Sequence, residues 1–227
     1  MNSLIDYIVE CAQATERTPW EVEPKVQRGL VQNTGYFLPR KVLAQVFEFP
    51  DMFGHNAILS YKGGEFPASM LTSETALRSF MDENGASLVI PGLQKLSEPL
   101  RMVCERACNQ TGLEMFATGF GTPAGKEGLE VHWDMGTVVV AQLDGVKHWR
   151  LWPPVVRTLE ELRQPRHITP EEKTAQPFLE LQLQPGDVLF LPRGWLHTAA
   201  CREVSSFHVS IGVVHGDMRR LKLRSMS

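Results

Sequence analysis

A histidine and a carboxylate stand two residues apart in His132-Trp133-Asp134, and a second histidine, His197, lies far downstream. Two neutral imidazoles and one carboxylate fill three positions on one face of a six-coordinate ion, a donor set that suits Fe(II). Three positions stay open for water, an oxidisable co-substrate and O2. In a strand, residues i and i+2 face the same way. An extended segment over Val131–Asp134 therefore projects His132 and Asp134 inward and turns Trp133 to the other face. His55, His148, His167, His208 and His215 are the other candidates for the third ligand. His197 is set apart by the stretch before it, PGDVLFLPRGW, a strand and a tight turn that would fix it beside the first pair. The competing reading of these residues is a hydrogen-bonded core histidine beside an exposed aspartate.

The elements that must position these side chains fall into two halves. Leu4, Ile5, Ile8, Val9 and Ala12 recur at helical spacing, which predicts a helix over residues 1–16. Pro19 and Pro24 interrupt the next stretch, so residues 1–34 read as an N-terminal helical arm leaning on the main domain. An apolar segment runs from Gly35 to Phe53, and Ala57–Tyr61 reads as a strand ended by Gly63-Gly64. Ser73 is an N-cap for a helix over 74–84, with Glu74 in its first turn and Gly85 at its end. Ser87–Ile90 is a short strand and 96–110 a further helix. From residue 113 the pattern changes to short strands: 113–120, 131–134, 137–143, 147–152, 179–183, 188–191 and 205–214. Thr137–Leu143 is almost wholly apolar, as a strand buried on both faces would be. Asp144-Gly145 reads as a hairpin turn. In the returning strand Lys147, Trp149 and Leu151 alternate with His148, Arg150 and Trp152. Residues 153–178 form a long proline-rich connection with a brief helix near 158–163, a length typical of functional loops. Short strands with frequent turns predict a sandwich or barrel. The fold class is mainly β with flanking α, a helical layer outside a jelly-roll core.

Composition narrows the function classes. Apolar residues make up 43% of the 227, enough for a sizeable core, and the net charge of −3 argues against a dedicated nucleic-acid protein. The basic cluster Arg219, Arg220 and Arg224 falls in a C-terminal tail, 217–227, and reads as solvated. Cys11, Cys104, Cys108 and Cys201 have neither zinc-knuckle nor disulfide spacing and read as small apolar residues. No basic region leads into an apolar run at the N-terminus, and no apolar run is long enough to span a membrane. The sequence reads as a soluble, cytoplasmic protein. The N-terminal helix is a candidate contact for a homodimer.

The segment TGFGTPAGKEGLEVHWDMGTVVVAQLDGVKHWRLWPP, Thr118–Pro154, resembles the core of JmjC-type oxygenases, and within them the ribosomal oxygenase branch of Fe(II)/2-oxoglutarate protein hydroxylases. LQPGDVLFLPRGWLHTA, Leu183–Ala199, is similar to that family's strand-turn-histidine stretch. The resemblance covers roughly residues 35–215 and implies a double-stranded β-helix (cupin) catalytic domain over 35–216 that uses Fe(II), 2-oxoglutarate and O2. Residue by residue, it assigns His132, Asp134 and His197 to the metal. It assigns Lys147 to the distal carboxylate of 2-oxoglutarate, and Ser210 to a hydroxyl contact with the same group. An inward lysine fits that role, because an unpaired buried ammonium is costly; a lysine snorkelling from its strand is the alternative.

The chain also departs from the family. Phe120 stands where tyrosine is frequent, Gly212 where relatives use a serine for substrate, and Trp133 where tyrosine is more usual. These three, with Trp195, are the candidates for the substrate pocket. The chain has no room for the branch's further helical dimerisation and winged-helix regions. The activity implied is hydroxylation of an amino-acid side chain in a protein or peptide, releasing succinate and CO2. The alternatives are a hydroxylase of a free amino acid or small metabolite, and a non-catalytic metal-binding cupin. A cupin isomerase or dioxygenase usually carries three histidines and a glutamate. Demethylation of histone lysine ranks low without a reader module or basic surface. No nucleic-acid or membrane partner is expected.

Overall fold

The apolar run that starts at Thr137 is a strand buried along both faces, and the two layers of the protein meet on it. The computed structural model describes residues 2–17, 22–37, 57–61, 64–71, 73–158, 160–161 and 168–215. Its helices are α1 (Asn2–Arg17), α2 (Thr34–Phe37), α3 (Glu74–Asn84), α4 (Glu98–Thr111) and α5 (Pro170–Thr174). Its strands are β1 (Lys25–Gln27), β2 (Ile58–Tyr61), β3 (Gly64–Pro67), β4 (Ser87–Pro91), β5 (Glu114–Thr122) and β6 (Thr137–Gly145). Then come β7 (Lys147–Trp152), β8 (Leu179–Leu183), β9 (Val188–Leu191), β10 (Leu196–Ala200) and β11 (Ser206–Val214). Eight strands form one antiparallel sheet in the order β1-β9-β6-β11-β5-β4-β2-β3, and three form a second in the order β10-β7-β8.

The alternation of side chains sorts this sheet pair into two cores. Val139, Ala141 and Leu143 of β6, with Val188 and Phe190 of β9, face α1, α3 and α4. Val138 and Val140 of β6, with Leu189 and Leu191 of β9, face Trp149, Leu151 and Leu183 on the second sheet. Each fully buried aliphatic side chain contributes about 1.5–3 kcal/mol, so strands between the two cores have no polar face to spare. The expected helical layer outside a jelly-roll core is the architecture observed. α3 begins and ends where the sequence predicts, α1 and α4 lie within two residues of their predicted bounds, and α2 is a short helix that the sequence does not predict. Ser73 Oγ accepts from the Ala76 N–H at 3.1 Å, and Gly85, at φ 72°, closes α3 with its N–H on the Met81 carbonyl.

Four expectations are corrected. The hairpin at Asp144-Gly145 is absent: β6 pairs with β9 and β11, whereas β7 pairs with β8 and β10. The chain crosses between sheets here. An Asp-Gly pair encodes a tight reversal, but the neighbours on either side decide which strand each arm joins. Gly145 takes φ +63°, and a Cβ there would run into the Ser205 carbonyl, so the crossing requires glycine. Second, residues 131–134 are not a regular strand; His132 makes one isolated bridge to His197. Third, the long connection carries α5 at Pro170–Thr174, opened by a capping box of Thr169 and Glu172. Residues 160–161 are helical, and the rest of the helix expected near 158–163 lies partly outside the described residues. Fourth, the N-terminal arm is not only helical: β1 adds an edge strand to β9. Arg28 pairs with Asp187 at 2.6 Å, and the same carboxylate accepts the Gly29 and Gln184 N–H groups. The Gly35–Phe53 apolar segment beyond residue 37, His55, His167 and the basic tail lie outside the described residues. Among the described residues no helix is long and apolar enough to cross a membrane.

Candidate metal centre

The backbone ties the two ligand segments together before any side chain acts. His132 and His197 exchange N–H···O bonds of 3.1 and 2.8 Å, and the Gly194 N–H donates to the Asp134 carbonyl at 3.0 Å. The Pro192-Arg193-Gly194 turn therefore anchors Asp134 while β10, which begins just after it, carries His197. Further along, the Gly128 N–H reaches the Ala199 carbonyl at 2.8 Å and Thr198 Oγ1 the Leu129 carbonyl at 3.0 Å. Residues 126–132 thus run beside β10 with strand-like spacing but without a ladder of their own.

The side chains converge. The donor atoms of His132, Asp134 and His197 all lie within 4.8 Å of one another. The imidazole centroids are 4.2 Å apart, and His197 Nε2 is 3.7 Å from Asp134 Oδ2. His132 Nδ1–H donates to the Glu130 carbonyl at 2.6 Å, and His197 Nδ1–H to the Trp195 carbonyl at 3.0 Å. A carbonyl can only accept, so each ring's proton is held on Nδ1 and Nε2 keeps its lone pair. Burial, with the neighbouring His132, pushes the His197 imidazolium down to about 4, which keeps that ring neutral at pH 7. Two oriented imidazoles and one carboxylate fit a borderline divalent ion such as Fe(II).

A cavity of about 310 Å3 extends from this cluster between the sheets. One end holds Lys147, 2% exposed, whose Nζ donates to Thr122 Oγ1 at 2.8 Å. Thr122 Oγ1 is also 3.2 Å from Ser87 Oγ. Burial pulls the Lys147 ammonium down to about 8, and among the described residues it forms no ion pair. Ser210 and Gly212 line the same cavity from β11, together with Phe120 from β5. A Cβ at Gly212 would run into the Phe116 ring. Trp133 and Trp195 do not line the cavity. Trp133 is half-buried, and Trp195 is packed in the core between the sheets, edge-on to Phe178 with its Nε1–H on the Val22 carbonyl.

The remaining histidines separate clearly. His148 faces the opposite side of β7, in a groove with Arg150 and Glu180. His215 bonds Thr137 Oγ1 at 3.0 Å. His208, weighed in the sequence only as a third ligand, lies in the cavity wall, stacked on Phe120 at 4.9 Å and edge-on to Trp149 at 5.4 Å. Burial holds its ring neutral. The period of two along β11, which puts 208, 210 and 212 on one face, is the signal that places it there.

Known proteins resemble this chain in sequence and in fold. Bovine ribosomal oxygenase 2 is 34% identical over 137 residues, covering 60% of this chain and 29% of that protein. The Caenorhabditis elegans protein named bifunctional lysine-specific demethylase and histidyl-hydroxylase NO66 is 31% identical over 133 residues, 56% of this chain and 18% of its own length. The chain thus spans less than a third of these curated relatives. In structure it is similar to the Escherichia coli ribosomal oxygenase YcfD, with a TM-score of 0.63 at 16% identity over 92% of this chain and 53% of that one. The JmjC domain profile matches residues 95–221. That stretch takes in the bridged ligand pair, the sheet crossing and the final strand, and on that match the chain belongs to the JmjC domain family.

Proposed function

We propose that this protein is an Fe(II)- and 2-oxoglutarate-dependent oxygenase that hydroxylates an amino-acid side chain of a protein or peptide. The observation that carries the reading is the placement of Lys147 relative to the ligand rung. A Cβ added at Gly128 would stand 3.6 Å from Lys147 Nζ, so the ammonium sits beside the Gly128–Ala199 contact, and Ala199 is two residues along β10 from His197. A strand advances about 3.3 Å per residue, which makes that offset about 6.6 Å. An extended five-carbon diacid measures about 5 Å between its end carbons, and the carboxylate oxygens beyond them lengthen its reach at both ends to cover that offset. The names of the relatives support the same reading, as does the YcfD structure in complex with cobalt and 2-oxoglutarate.

Each residue has its own task. His132, Asp134 and His197 hold the metal, and their carbonyl partners fix the ring orientations. Bound there with 2-oxoglutarate and O2, Fe(II) would supply the redox chemistry, which sends one oxygen atom to succinate as CO2 leaves and the other into a substrate C–H bond. Lys147 pairs with the distal carboxylate, Thr122 orients its ammonium, and Ser210 offers a hydroxyl nearby. Phe120, His208 and Trp149 wall the space and exclude water. The free thiols Cys11, Cys104, Cys108 and Cys201 suit a reducing, cytoplasmic setting.

The test measures iron-dependent conversion of 2-oxoglutarate to succinate by the purified chain, with Mn(II) binding measured alongside. Succinate formation that requires iron, and that His197→Ala and Asp134→Ala abolish together with Mn(II) binding, is expected. Retention of activity in both variants, or no iron-dependent turnover in the native chain, overturns the proposal.

A further inference from the structure

We infer that the side chain oxidised at this centre is uncharged and apolar, an aliphatic or aromatic residue rather than arginine, lysine, aspartate or glutamate. The inference rests on the proposed function and adds the substrate class. Strand register divides the cavity into layers. Phe116 stands opposite Gly212, and Gly212 opposite Val138. The next layer is Thr118, Ser210 and Val140, and beyond it lie Phe120 and His208. Lys147 and Thr122 close the far end. Met135 and Gly136 lead from Asp134 into β6, so the Phe116–Gly212–Val138 layer is the first that β6 contributes after Asp134, at the end of the cavity away from Lys147.

That layer offers no charge. Among the described lining residues the carboxylate is Asp134, committed to the metal, and the ammonium is Lys147, committed to the co-substrate. His208 is neutral. The large side chains that reach the opening are apolar: Phe116 is 44% exposed and Met135 42%. Gly212 leaves its wall bare, and the Phe116 ring covers it. Glu130, close in sequence, lies outside the lining with its carboxylate 3.8 Å from Lys173 Nζ. A guanidinium or ammonium brought in here would lose water without gaining a counter-charge from the described lining residues. A leucine or phenylalanine side chain gains from its burial, a preference of about tenfold to a hundredfold.

The experiment uses short peptides varied at the central residue, incubated with the native chain, Fe(II), 2-oxoglutarate and O2. Mass spectrometry reads the gain of one oxygen atom. Fluorescence anisotropy reads binding of the same peptides under nitrogen with Mn(II) and 2-oxoglutarate. Peptides centred on Leu, Ile, Val, Met or Phe should bind and react at least about tenfold better than those centred on Lys, Arg, Asp or Glu. Met135→Glu, a change at an exposed rim position, should shift the preference toward Lys and Arg. Equal or better binding of charged peptides, or no discrimination across the set, overturns the inference and leaves the oxygenase reading standing. An apolar preference in binding, with no conversion of 2-oxoglutarate, overturns the oxygenase reading and the oxidation with it, leaving only an apolar-binding cavity.

Discussion

Lys147 is a cation in a place that disfavours cations. Its titration at about 8, against the usual 10.5, is the consequence of burial. That depressed value sets the sign of the pH dependence. Below about pH 8 the ammonium is already charged and ready for a dicarboxylate. Above it each binding event must take up a proton, so 2-oxoglutarate affinity falls by up to about tenfold per pH unit. Calorimetry under nitrogen with Mn(II) should show a plateau below pH 8 and this decline above. Lys147→Met should lose about 1.5–3 kcal/mol of affinity and flatten the profile. The same substitution removes an unpaired buried charge, so the ligand-free fold should lose no stability near neutral pH. The inward side of Lys147 is legible in the sequence because β7 alternates buried and exposed positions with a period of two. The cavity position of His208 is harder to read, since nothing local distinguishes a wall histidine from a ligand.

At the level of elements, the helices are the most legible parts. Ser73 and Gly85 mark the ends of α3 through side-chain and backbone chemistry contained within the helix itself. β6 is legible for a related reason: its burial on both faces leaves an apolar run interrupted only by Gln142 between Val138 and Leu143. The short strand β1, by contrast, has only the residues Lys25–Gln27 and owes its form to pairing with β9. The crossing at Gly145 is the element whose failure would be the most informative. Gly145→Ala places a Cβ against the Ser205 carbonyl at a positive φ. Denaturant unfolding should show a loss of at least about 1–3 kcal/mol, from strain at this special backbone conformation. A neutral result would mean that β6 and β7 can be joined without this close approach.

Over the whole molecule, the N-terminal helix belongs to the central core. Leu4, Ile5 and Ile8 are buried with strands of the large sheet and with α4. Their apolar face is therefore taken up within the chain. Ile8→Ala should destabilise the protein by about 2–5 kcal/mol in a single cooperative transition, measured by denaturant titration with the tryptophans as probe. A separate, low-stability transition for the N-terminus would show that α1 docks as an independent arm. The layer order of helices, large sheet and small sheet also explains why the metal cluster sits between the sheets. The cavity beside it is lined by the face of β5, β6 and β11 turned from the helices.

The sequence by itself determined the donor types, the two-residue spacing of His132 and Asp134, the turn ahead of His197, and the inward face of Lys147. These depend on covalent spacing and on the local period of a strand. It also determined α3, whose caps lie at its own ends, and α4, whose apolar residues recur on one face. Tertiary structure alone decided that His132 is held by a bridge to His197 instead of a strand of its own. It alone made Asp144-Gly145 a crossing between sheets and set Phe116 over Gly212. The physical reason is that backbone pairing joins segments far apart in the chain. The N–H and C=O groups that do so are the same in every residue, and they leave no mark in the identities of the side chains.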